Sequence, residues 1–90
     1  MINLDDILDL SDLTRDEIAA IAEHDHIGRV NATLLAEWLM AHHGGAHRIE
    51  TIISEDIRGA LHRGDLTHAR ELYSTLRAFV ERHPEAVRGG

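Results

Sequence analysis

Histidine dominates the reactive side chains of this sequence: His24, His26, His42, His43, His47, His62, His68 and His83 make eight in 90 residues. An imidazole can ligate a metal, relay a proton or change charge near neutral pH. Two arrangements have ligand spacing. Glu23-His24-Asp25-His26 contains Glu-x-x-His, which sets Glu23 and His26 on one helix face as in di-iron bundles. Such a centre needs a second Glu-x-x-His and further Glu, and one copy is present, so a dimer would have to supply the other. His43 and His47 flank Gly44-Gly45, where the chain could fold back around Zn²⁺ or Ni²⁺. Position offers a simpler account. His24, His26, His42, His43, His62 and His83 fall at expected helix C-termini, where an imidazolium meets the negative end of the dipole. No cofactor is therefore expected, and a metal site on Glu23, His26, His43 and His47 stands as the alternative. A further alternative is pH response: protonating every His moves the formal charge from −7 to +1.

Other chemistries find little to work with. Cysteine is absent, which removes disulfides and thiolate sites and fits a reducing cytoplasm. Ser11, Ser54 and Ser74 lie on helices or caps, and no glycine elbow precedes a serine. His68 and Glu71 stand one helical turn apart, an arrangement common on solvated faces. Gly44-Gly45 lacks the preceding strand and the following Lys-Ser/Thr of a phosphate loop. The chain is not expected to be an enzyme.

Charge is unevenly placed. Residues 1–27 hold Asp5, Asp6, Asp9, Asp12, Asp16, Glu17, Glu23 and Asp25 against Arg15 alone, so the whole net charge of −7 sits there. The other 63 residues sum to zero. An acidic end repels a nucleic-acid backbone and attracts a basic protein surface. The turn at Gly28 resembles helix-turn-helix, but the following helix offers Arg29, Asn31 and Thr33 and then becomes apolar, so direct DNA binding is not expected. The same charge layout would suit a mimic that occupies a basic nucleic-acid channel. Every basic residue is Arg and none is Lys, as in proteins from GC-rich bacterial genomes.

These side chains must be positioned by helices, since no stretch alternates apolar and polar residues long enough for a strand. Asn3 caps a short helix over Leu4 to about Leu10. Thr14-Arg15-Asp16-Glu17 has the capping-box pattern and starts a helix to about His26, with Ile18, Ile21 and Ala22 inward. A third helix runs from about Arg29 to His42 and ends at Gly44-Gly45. The fourth spans about Ala46 to His62 on the stripe Ile49, Ile53, Ile57, Leu61. Asp65 caps the fifth, whose inward set is Leu66, Ala69, Leu72, Leu76, Phe79 and Val80, and Pro84 closes it. Short loops make sequential helices antiparallel neighbours. The expected fold is all-α: a small antiparallel bundle of four helices plus a short N-terminal one, in one domain over residues 1–84, with 85–90 frayed.

The stretch Leu34–Ala41, LLAEWLMA, reads as the centre. Leu34, Leu35, Trp38 and Leu39 form one broad apolar face, with Ala32, Ala36 and Met40 on the other side. A helix apolar nearly all round must be enclosed by neighbours, a second copy or a partner. The start MINLDDILDL lacks the basic segment and apolar run of a signal peptide, and no segment suits a membrane span. The sequence thus reads as a cytoplasmic interaction or regulatory module, a homodimer or a complex subunit. Trp38 and Met40 supply contact, while Asp5, Asp6, Asp9, Asp12 and Asp16 steer a basic protein partner.

Overall fold

A computed structural model describes residues 13–88 of the chain. The described residues are all-α: α1 Arg15–Asp25, α2 Arg29–Met40, α3 Gly45–His62, α4 Leu66–Arg82 and α5 Glu85–Arg88. The expected helix over Leu4–Leu10, and with it Asp5, Asp6, Asp9 and Asp12, lies outside them. None of the described helices is long and apolar enough to cross a membrane.

Local signals set most helix ends. The Thr14 hydroxyl accepts the Glu17 N–H at 3.2 Å, and Glu17 Oε1 accepts the Thr14 N–H at 2.9 Å, which completes the capping box. α1 ends at His26, whose φ of 55° puts it in the left-handed region, and the Ile27 N–H returns to the Ala22 carbonyl. Asp65 caps α4 by accepting the His68 N–H at 3.1 Å. Between α2 and α3, Gly44 takes φ 82°, and a Cβ on Gly45 would stand 1.5 Å from the Leu39 carbonyl oxygen. Only glycine allows α3 to start so close to the end of α2.

α3 is the hub, because α1, α2, α4 and α5 all pack on it. Its stripe Ile49, Ile52, Ile53 and Ala60 is fully buried. Ile18 and Ile21 of α1, Ala32 and Ala36 of α2, Leu72 and Phe79 of α4 and Ala86 of α5 close around that stripe. Of the tail expected over 85–90, residues 85–88 form the helical turn Glu85–Arg88 with Ala86 buried. His47 Nδ1–H helps hold this turn by donating to the Ala86 carbonyl at 2.8 Å.

The central role expected of Leu34–Ala41 is corrected. α2 buries a narrow face of small residues, Ala32, Thr33 and Ala36, with Leu35, Leu39 and Met40 half-buried at its edges. Leu34 and Trp38 are 60% and 58% exposed, and Val30 joins them. At about 100° per residue, positions 30, 34 and 38 stand roughly opposite 32 and 36, so the two sets cannot share a face. The small set wins the inward side because it lets the α2 backbone lie close against α1 and α3. α2 also stops at Met40, short of His42, because the close approach at Gly45 leaves no room for a longer last turn. Leu61 and Leu66, expected inward, are exposed at the opposite end of the α3–α4 pair, beside Tyr73.

Candidate functional site

Where α1, α3 and α4 meet, the chain gathers two histidines and five carboxylates. His24 enters from the last turn of α1. Its Nδ1 lies 2.7 Å from Asp25 Oδ1 and its Nε2 3.2 Å from Glu55 Oε2 of α3. His68 sits in the first turn of α4. Its Nε2 lies 2.6 Å from Glu23 Oε1 of α1 and its Nδ1 3.5 Å from Glu71 Oε2. Each ring thus presents both nitrogens to carboxylate oxygens. A neutral imidazole has one N–H and one lone pair, so one of the two contacts in each ring would set lone pair against lone pair. The imidazolium donates both. Accordingly both histidines have pKa values raised above the usual value. His24 is raised chiefly by its bond to Asp25 and His68 chiefly by its bond to Glu23, with burial opposing in each case.

Asp56 of α3 lies beneath these pairs. It is 7% exposed, and its Oδ2 is buried with no hydrogen-bond partner. Burial pushes its pKa up to about 7, and Glu23 and Glu55 add repulsion that His24 and His68 partly offset. A buried carboxyl that keeps its proton near neutrality avoids the cost of an uncompensated charge.

The other end of α1 is tied differently. Glu17 is fully buried, and Arg82 at the end of α4 donates to it through two nitrogens, Nη1 to Oε2 and Nη2 to Oε1, both at 2.8 Å. The fork-on-carboxylate geometry is the strong form of such a pair. A groove of about 570 Å³ runs between α1 and α4 from Thr14 to His68, with Ala20 and Leu72 on its walls and Asp16, Glu23 and Glu71 on its rim.

The second feature is the exposed row Val30, Leu34 and Trp38 on α2. Trp38 stacks on His42, ring centroids 4.0 Å apart, and His42 Nδ1 also bonds the Trp38 carbonyl. The indole therefore has one ring neighbour while most of it faces water.

The residues named from sequence are dispersed. Among the described residues no three His, Cys, Asp or Glu side chains come together to hold a metal ion. Glu23 is bonded to His68 instead of facing His26, which is exposed in its left-handed cap. His43 is exposed, while His47 is engaged with Ala86 and lies 3.9 Å from Glu50. Asp16 is exposed on α1, Met40 is half-buried, and Trp38 is open. No local sequence pattern marks Glu55 or Arg82 as a site residue. For Asp56 a signal exists: it falls on the buried stripe of α3, three residues after Ile53 and four before Ala60, where a lone carboxylate needs a reason. Compared with family profiles, with curated proteins and with solved structures, the chain matches none, and its site is read from its own geometry.

Proposed function

We propose that this chain is a non-enzymatic interaction module whose contact surface is the Val30–Leu34–Trp38 row of α2. One observation carries the reading: three large apolar side chains in one helical row face solvent, and the aromatic one lies against the His42 ring. Fully burying a side chain of this size contributes about 1.5–3 kcal/mol, so even half-exposed groups leave useful binding energy unspent. Aromatic anchors of this kind concentrate binding energy at interface centres. The partner is a protein with an apolar cleft flanked by basic residues, because all the net charge lies in residues 1–27. Asp16, with Asp5, Asp6, Asp9 and Asp12 before it, steers that partner; Met40 lies at the edge of the contact. The reading is of an antiparallel helical bundle acting in a bacterial cytoplasm, with self-association through the same row as the competing occupant.

The test compares wild type with Leu34→Ser/Trp38→Ala, both checked for folding by circular dichroism. Proteins captured from the native host by wild type should be lost with the double variant and released by moderate salt. Sedimentation velocity separates self-association from a foreign partner. Retention of the same proteins by both chains sinks the proposal.

A further inference from the structure

Independently of any partner, we propose that the His24–Glu55 and His68–Glu23 contacts around buried Asp56 form a proton-held latch. It keeps the C-terminal half of α1 on α3 and α4 and loosens as pH rises through neutrality. The geometry requires protons. Both imidazoles face carboxylates with both nitrogens, so the two contacts of each ring are satisfied together only when the ring is cationic. The two ties that cross between helices at this end of α1, His24 to Glu55 and Glu23 to His68, are both strengthened by that charge. The Asp56 Oδ2 atom is buried without a partner, which is tolerable for a protonated carboxyl and costly for an ionised one.

The charged groups acting on Asp56 come from every helix that meets there. α1 contributes Glu23 and His24, α3 contributes the neighbouring Glu55, and α4 contributes His68. Asp25 and Glu71 hold the outer nitrogens of the two rings. With protons removed from both rings and from Asp56, the corner holds five carboxylates and no compensating cation from this set. Repulsion then acts between α1 on one side and α3 and α4 on the other.

The signs agree. Asp56 has a raised folded pKa, so its contribution is complete below the ordinary value of 3.8 and is lost as pH rises to about 7. The two histidines also have raised folded values, so their contribution is complete below 6.5 and is lost at higher pH. Both effects weaken the closed corner in one direction. Opening would also widen the α1–α4 groove, since Glu23, His68 and Glu71 line it.

The experiment uses the full chain. Carbon-detected NMR follows the Asp56 carboxyl, and amide hydrogen exchange, corrected for the intrinsic rate, follows α1 from pH 5.5 to 8.5. The Asp56 signal is expected to titrate near 7. The opening constant of Ile21–Asp25 should rise by roughly ten-fold or more across this range, one pKa unit being a factor of ten. Amides near Glu17 should change much less. Asp56→Asn, which mimics the protonated carboxyl, should remove most of the pH dependence at Ile21–Asp25. Titration of Asp56 near 4, or an unchanged pH dependence in Asp56→Asn, or equal opening at both ends of α1, overturns the latch.

Discussion

At its N-terminal end α1 is held by Glu17, buried beneath the Arg82 guanidinium and closed into a capping box with Thr14. At its C-terminal end, less than two turns beyond, it is held by imidazoles against carboxylates above a buried acid. The first tie uses a cation that keeps its charge at any physiological pH, and Glu17 holds the Arg82 proton even more firmly than usual. The second uses imidazolium cations, which give up their protons as pH rises. One helix thus has a permanent anchor and a conditional one, and the difference lies in arginine against histidine.

The largest effect should come from Arg82→Met. It strands the Glu17 carboxylate inside the protein; breaking a fully buried pair costs about 3–5 kcal/mol, and the loss here should fall at the low end because Arg82 is partly exposed. Urea unfolding at pH 6 and pH 8 should show the same loss. Removing both charges with Glu17→Met/Arg82→Met should recover much of it, and a loss that varies strongly with pH would erase the contrast between the two ends.

Asp56→Asn should act with the opposite sign. It relieves an ionisation penalty that grows from 3.8 to about 7, so the variant should be more stable than wild type at pH 8 and show less advantage at pH 5. The expected gain at pH 8 is on the order of 2 kcal/mol, given a shift of this size at one unit per 1.36 kcal/mol and some relaxation of the site. Thr14→Ala should cost about 1 kcal/mol through loss of the cap, equally at both pH values. The smallest change belongs to His68→Gln. Its pair with Glu23 is partly exposed, so under about 1 kcal/mol should be lost at pH 6, and progressively less as pH rises and the wild-type ring gives up its proton. A loss that persists at pH 8 would mean that His68 packs more than it pairs.

How much of this could be seen in the chain itself depends on distance along it. The capping box is a four-residue pattern, and Thr14 and Glu17 do what that pattern says. The Asp65 cap and the apolar stripe of α3 are equally local. The all-α class follows from such signals summed over the chain. Arg82 is 65 residues from Glu17, so nothing local could announce the pair. The histidines misled for a related reason. A place at a helix end explains His24 well enough, and its contact with Glu55 exists only once α1 lies across α3. α2 misled through composition. Its large residues suggested the core, whereas close helix approach selected the alanines and turned Leu34 and Trp38 outward.

The connection at residues 26–28 joins the conditional end of α1 directly to the first turn of α2. The far end of α2 lies close against the start of α3, where Gly45 packs against the Leu39 carbonyl. Loosening of the α1 corner would therefore reach α2 first at its N-terminal turn. Val30 would travel furthest and Trp38 least, so acidity would set the pitch of the row while leaving its aromatic post in place.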